Sequence, residues 1–237
     1  MVHTSFRPLE AFRAIQRLLA DPDATEEAFN VVRAVDGGGL ERIYRRYQAE
    51  PTGARMLRER PSLLETLSDR AALESMPEGS LGRAYLAFSD REGISPGGLV
   101  EASEHEEREL LDPDRRFIVD RMRDSHDLWH VVTGLRTDLA GELSVLSFTT
   151  AQTGSIGVAF LVLAGYAHSF TLPDMGERGR RLARESFARG RRAEWLPIAE
   201  WEELLPLPLD QVRAELGITA VPVYRPQYTP DRAELAA

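Results

Sequence analysis

Two residue types are missing from this chain, and each absence removes a class of chemistry. There is no cysteine. Thiol nucleophiles, cysteine zinc sites, cysteine-held iron–sulfur clusters and disulfides are therefore excluded. Nor is there any lysine, since all 29 basic residues are arginine. Schiff-base chemistry and the P-loop lysine are excluded with it. Positive charge is also in deficit, with a formal net charge of −9, so no global basic footprint for nucleic acid exists. The opening MVHTSFRPLEAF lacks a basic start followed by an apolar core, and no signal peptide is expected. Long apolar runs are missing too. Leu143 to Pro173 contains no Asp, Glu or Arg, but its densest part, Ile156 to Ala167, is shorter than the roughly 20 apolar residues a spanning helix needs. That part is expected to be a central buried helix.

What is present reads as helix almost throughout. With 43% hydrophobic residues, 237 positions suffice for a domain with a proper core. Phe6, Leu9, Phe12, Ile15 and Leu19 recur at three- and four-residue spacing, predicting an amphipathic first helix. Asp23 with Glu26 resembles a capping box opening a second helix, which Gly37-Gly38-Gly39 ends. Leu40 to Gln48, a stretch after Pro61 and Leu81 to Asp90 continue the pattern. Residues 93–113 carry glycine, proline and the acidic run Glu104 to Glu107, and are expected to be the least ordered part. Within them Gly93-Ile94-Ser95-Pro96-Gly97 matches G-x-S-x-G formally. Pro96 has no N–H for an oxyanion hole, and helix rather than strand precedes it, so this is a loop. Pro113 opens a long helix, Leu209 to Leu216 makes the last one, and the tail 219–237 should be extended. Asp174 to Arg192 is strongly charged, and its arginines suit either solvent or anionic headgroups. The expected architecture is all-α, a single α-helical domain over residues 1–237.

The chemistry concentrates in Ser125 to Glu142, SHDLWHVVTGLRTDLAGE. At about 100° and 1.5 Å per residue, His126, Asp127 and His130 share one helix face, with the imidazoles roughly 6 Å apart along the axis. Glu142 would lie about 18 Å from His130 if the helix ran on. Gly134 supplies a stop, and Thr137 or Asp138 supplies an N-cap for a returning helix. Such a hairpin brings Glu142 level with the histidines, giving a metal site of His126, Asp127, His130 and Glu142. Two nitrogens and two oxygens suit zinc, and also iron or manganese. Asp127 could instead orient an imidazole through its other nitrogen. His105 reads as a surface histidine, and His168 as a core or boundary one.

The segment HDLWHVVTGLRTDLAGE resembles the HDxxH-x11-E signature of the coenzyme Q (ubiquinone) biosynthesis protein 4 family. Leu81-Gly82 with Tyr85 resembles the family's LGxxY segment, Gln152-Thr153-Gly154 its QTG turn, and Trp201-Glu202 through Leu216-Gly217-Ile218 its closing region, so the likeness covers about 80–218. Departures occur at Leu146, Thr149, Ser155-Ile156 and Met122, where the family usually carries Lys, Glu, Leu-Pro and Tyr. The resemblance implies an all-helical, membrane-associated protein binding a divalent metal, usually zinc. It implies C1-decarboxylation, possibly oxidative, of a polyprenylated 4-hydroxybenzoate during ubiquinone synthesis. On that reading Asp127 or a metal-bound water is the proton relay, Arg123 or Arg136 grips the substrate carboxylate, and Gln152 and Gly154 contact substrate. Expected partners are the polyprenylated aromatic substrate, the membrane surface, other quinone-biosynthesis proteins and a second copy in a homodimer. The expected location is cytoplasmic, peripheral to the inner membrane. The alternative from another class is a non-catalytic scaffold that binds prenyl lipids or quinone precursors.

Overall fold

Local signals decide most of the helix boundaries. The computed structural model describes residues 6–21, 24–35, 37–103, 111–172 and 176–218, and among these it contains helices and no strand. The first eight helices are α1 Pro8–Ala20, α2 Thr25–Val35, α3 Gly39–Ala49, α4 Pro51–Glu59, α5 Leu63–Ser68, α6 Arg70–Ser75, α7 Leu81–Glu92 and α8 Pro96–Ser103. After the gap come α9 Pro113–Asp124, α10 His126–Thr133, α11 Leu139–Thr153, α12 Ile156–His168, α13 Gly176–Gly190, α14 Trp201–Leu204 and α15 Leu209–Glu215. The fold is all-α, as expected.

Caps and prolines account for where these elements begin. The Ser62, Asp69, Ser80, Asp112 and Asp138 side chains accept backbone N–H groups at the starts of α5, α6, α7, α9 and α11. Prolines open α1, α4 and α9, where the missing N–H costs nothing. Pro51 lies two residues beyond the end of α3 and is the first residue of α4. The stretch 93–113 contains a helix, α8, rather than loop alone. Pro96 begins that helix directly after Ser95, so the G-x-S-x-G match, read as a loop in the sequence, runs from the C-cap of α7 into the first turn of α8. The long helix from Pro113 is broken at Ser125, whose φ of −81° and ψ of −9° turn α10 away from α9. Asp23, His105, the acidic run and the tail 219–237 lie outside the described residues.

The main core gathers Leu81, Tyr85 and Phe88 of α7, Leu128 and Trp129 of α10, Val145 and Phe148 of α11, and Trp201, Val212 and Leu216 near the C-terminus. A second cluster joins α1, α2 and Leu161 of α12, and a third joins Tyr47, Met56, Phe117 and Ile118. Helix α11 is the central element, flanked by α12 and α13. Its five hydroxyl residues, Ser144, Ser147, Thr149, Thr150 and Thr153, each donate to the carbonyl four residues back, which lets polar side chains lie along a packed helix.

Two expectations about apolar stripes are corrected. Helix α12 is not the central buried helix: only Gly157, Val158 and Leu161 are buried, while Ile156 and Leu163 are exposed. It instead lies against α2 and α11. In α1 the buried face is Ala11, Ala14 and Ile15, and Phe6, Leu9 and Phe12 are 54–73% exposed. Small alanines let α1 approach α2 and α12, so the larger side chains are left outside. Among the described residues no helix is long and apolar enough to cross a membrane.

Candidate metal centre

The hairpin that assembles the site is built by short-range signals on both sides of its turn. Gly134 takes the left-handed conformation, φ 72°, which a Cβ would strain, and its N–H donates to the His130 carbonyl at 2.8 Å. Leu135 N–H donates to the same carbonyl at 3.1 Å. Asp138 then caps α11, accepting from Ala140 and Gly141 N–H at 3.1 and 3.3 Å. Of the two caps the sequence allows, Asp138 fills the position. Thr137 turns away and donates to Glu92. Arg213 of α15 closes the end of α10 by donating to the Val131 and Val132 carbonyls.

Glu142, in the first turn of α11, comes back to face both imidazoles. His130 Nε2 lies 3.2 Å from His126 Nε2 and 3.3 Å from a Glu142 oxygen, and His126 Nε2 lies 3.8 Å from the other oxygen. Ligand atoms about 2.0–2.1 Å from a tetrahedral zinc are separated by about 3.3 Å, and the His126–His130 and His130–Glu142 contacts match that spacing, while the second Glu142 oxygen lies farther from His126. If both rings carry their proton on Nδ1, two bare Nε2 lone pairs face each other at this distance. A cation between them satisfies both. The donor set therefore fits a divalent metal.

Orientation of the ligands comes from their surroundings. His130 Nδ1 lies 3.2 Å from the Leu135 carbonyl. A proton there donates to that oxygen and leaves Nε2 bare for a metal. Phe88 of α7 stacks on the His130 ring with centroids 5.5 Å apart. The His130 side chain is 0% exposed, whereas His126 and Glu142 keep 25% and 35%. The donor group is consequently open to solvent on the side of His126 and Glu142.

Charge in the metal-free site is distributed unevenly. Burial opposes ionisation of Glu142, but the charges and hydrogen bonds of His130 and His126 overcome it and hold the carboxyl well below its usual range. Burial likewise opposes the charged ring of His126, yet the Glu142 hydrogen bond and the charges of Glu142 and Asp127 raise its pKa. Asp127 behaves in the opposite way. Burial, together with the Glu142 charge, raises it despite the two imidazoles. The Tyr85 hydroxyl, buried and influenced by Asp127, is pushed up to about 12.

Of the residues singled out in the sequence, the structure brings His126, His130 and Glu142 within 4.8 Å of one another. Asp127 is buried beside them but is not part of that group. Arg123 is engaged by Asp124 at 2.7 Å and Asp120 at 3.4 Å, and Arg136 by Glu92 at 2.8 Å. Gln152 is ten residues, about 15 Å, along α11 from Glu142. It clasps two segments, donating to the Gly190 carbonyl at 2.6 Å and accepting from Leu196 N–H at 2.8 Å. Gly154 ends α11, and its carbonyl accepts from Arg42 at 3.2 Å. His168 is a half-exposed residue at the end of α12, as a boundary histidine would be. The departures at Leu146, Thr149 and Ser155 are absorbed into packing and capping: Leu146 joins the α1–α2–α12 cluster, Thr149 bonds within its helix, and Ser155 caps α12.

Two residues at the site have no motif of their own. Phe88 stacks on a ligand. Glu92, with a side chain only 5% exposed, accepts from Arg91, Arg136 and Thr137 and ties the hairpin turn to α7. The available signal was the Arg136-Thr137 pair between the ligands, which calls for an acid but does not say which one.

The fold and site define an all-α protein with a two-imidazole, one-carboxylate candidate metal centre on a helical hairpin. Residues 11–222 match the family model described as Coenzyme Q (ubiquinone) biosynthesis protein Coq4. The chain belongs to this family. It is 31% identical over 181 residues to the mitochondrial ubiquinone biosynthesis protein COQ4 of Yarrowia lipolytica, covering 74% of this chain and 65% of that protein. Against the corresponding protein of Talaromyces stipitatus it is 37% identical over 187 residues, covering 77% and 62%. The chain thus spans a little under two thirds of these relatives. A crystal structure described as that of a candidate ubiquinone biosynthesis protein from Nostoc punctiforme PCC 73102 shares the fold, with a TM-score of 0.68, 20% identity, and coverage of 91% of this chain and all of that one.

Proposed function

We propose that this protein is a metal-dependent carboxy-lyase of ubiquinone biosynthesis, removing the C1 carboxylate from a polyprenylated 4-hydroxybenzoate at the membrane surface. The observation that carries the reading is the ligand triangle with its open side. Two imidazole nitrogens and one carboxylate gather with His126 and Glu142 partly exposed, whereas a closed structural zinc site would carry four protein ligands. His126, His130 and Glu142 would hold the ion, zinc being favoured and iron or manganese compatible with the same donors.

When bound, a divalent metal supplies a Lewis acid that stabilises charge developing on a coordinated carboxylate or ring oxygen. The protein contributes two neutral rings and one negative charge, so a dication retains a net +1 that attracts an anionic carboxylate. Asp127, kept protonated more readily than an ordinary aspartate by burial, can donate its proton to C1. The C1–carboxylate bond then breaks, its electrons return to the ring, carbon dioxide leaves, and Asp127 is reprotonated from water. Arg123 and Arg136 are already engaged by carboxylates and hold the surrounding helices, so a metal held by His126, His130 and Glu142 would supply the charge that attracts the substrate carboxylate. Gln152 and Gly154, about 15 Å away along α11, would contact only the distal part of a long substrate.

The test is carbon dioxide release from a prenylated 4-hydroxybenzoate by purified, metal-loaded protein, with His130→Ala abolishing it. Absence of turnover at full metal occupancy would overturn the reading. A non-catalytic lipid scaffold is favoured instead by the exposed apolar residues of α1 and α12. It predicts co-purifying prenyl lipid whose binding survives His130→Ala.

A further inference from the structure

Away from the metal centre, four arginines converge between α1 and α2. Arg7, Arg13, Arg17 and Arg33 line a crevice of about 290 Å³ together with Glu10 and Asn30. Arg7 pairs with Glu10 at 3.1 Å, and Arg17 pairs with the buried Glu27. Arg13 is exposed and has no ion-pair partner among the described residues. Four arginines and one glutamate line this crevice, on a chain whose net charge is −9. A local excess of guanidinium in an acidic protein marks a place where an oxyanion is welcome, and guanidinium forks match phosphate geometry.

The same helix carries a second feature. Arg7, Glu10, Arg13, Ala14 and Arg17 recur along one side of α1, and Leu9, Phe12 and Leu19 recur along the adjoining side, with Phe6 just before the helix. All four of these apolar side chains are exposed. Solvated helices seldom present Phe and Leu outward beside a row of arginines, whereas helices lying in a bilayer interface do. The apolar row suits acyl chains, and the basic row suits the headgroups just above them.

We infer that the α1–α2 crevice binds the phosphate of an anionic phospholipid while Phe6, Leu9 and Phe12 enter the acyl layer. Arg13 is the principal phosphate contact. The site is independent of the metal centre and of the chemistry proposed there.

Co-sedimentation of the full chain with phosphatidylglycerol vesicles and with phosphatidylcholine vesicles tests this. Binding is expected to the first and much less to the second. Arg13→Glu changes the local charge by two units and should weaken partitioning about 25-fold, at about fivefold per charge. Leu9→Ser with Phe12→Ser should weaken it as well. These positions are exposed, so unchanged circular dichroism and melting should accompany the loss. His130→Ala should bind vesicles like the natural chain, which separates failure here from failure of the metal-centre reading. Equal binding to both lipids, or binding indifferent to Arg13→Glu, would overturn the inference. So would titration by inorganic phosphate with vesicles ignored, or a dimer broken by the serine pair in place of lipid binding.

Discussion

Glu92→Gln isolates the contribution of the clip behind the metal hairpin. The natural side chain is 5% exposed and accepts from Arg136 at 2.8 Å, Arg91 at 2.9 Å and the Thr137 hydroxyl. Glutamine retains the shape and one oxygen but loses the charge. Breaking a fully buried ion pair costs about 3–5 kcal/mol. Here the arginine side chains are 38% and 50% exposed and can rehydrate, so the expected loss is about 1–2 kcal/mol. For a chain of this size that lowers Tm by about 2–8 °C. Because Arg136 and Thr137 lie in the turn between the ligands, metal affinity should fall about tenfold as well. The pH dependence supplies a sign. Burial raises the Glu92 pKa, but Thr137, Arg91 and Arg136 together lower it below its ordinary value. A carboxyl with a depressed folded pKa stabilises the fold above its unfolded pKa of about 4.3 and loses that contribution as pH falls through the folded value. The gap between the natural chain and Glu92→Gln should therefore be full at pH 7 and shrink below about pH 4. Urea melts at both pH values and competition with a chromophoric chelator measure all three quantities. Equal stability at pH 7 with unchanged metal affinity would refute the idea that this carboxylate fixes the hairpin.

Four further outcomes are expected. Acid should release the metal: in the metal-free protein His126 takes up its proton at a raised pKa, so a proton competes with the ion increasingly as pH falls through that value, and the metal content of dialysed protein should drop with it. In the metal-free protein the raised His126 value contributes stability below its unfolded pKa of about 6.5 that fades as pH rises through the folded value, so metal rescue of Tm should be larger at pH 8 than at pH 6. Gly157→Ala should destabilise by about 1–3 kcal/mol in chemical denaturation, because the new Cβ would sit 2.5 Å from Val32 Cα and 2.7 Å from its carbonyl oxygen where α12 crosses α2. Gln152→Ala strands the buried Gly190 carbonyl and Leu196 N–H and should cost about 2–4 kcal/mol of stability; unchanged melting with altered turnover would instead assign Gln152 to the substrate.

The metal hairpin was legible because its determinants are local. Gly134 and Asp138 announce the turn whatever lies around them, and the helical period then fixes which side chains meet. Other features depended on partners remote in sequence. An exposed Phe-Leu row and a buried Ala row coexist in α1, and periodicity marks the larger side chains as core without knowing that α2 and α12 need a close approach. The uncharged run 156–167 looks internal by composition, yet α11, with five hydroxyls, occupies the centre because each hydroxyl bonds within its own helix. Glu92 was invisible for the same reason: an acid 44 residues from its arginine carries no signature of the pairing.

The uneven sealing of His126, His130 and Glu142 would set how an ion comes and goes at the proposed centre. With His130 closed off by Phe88 and the other two donors reachable, a cation can meet Glu142 and His126 first and engage the inner ring last, in a chain already folded. Loading would then be a surface event rather than a folding step. A strong chelator should strip the centre at native temperature and leave the helices standing, ready to be refilled.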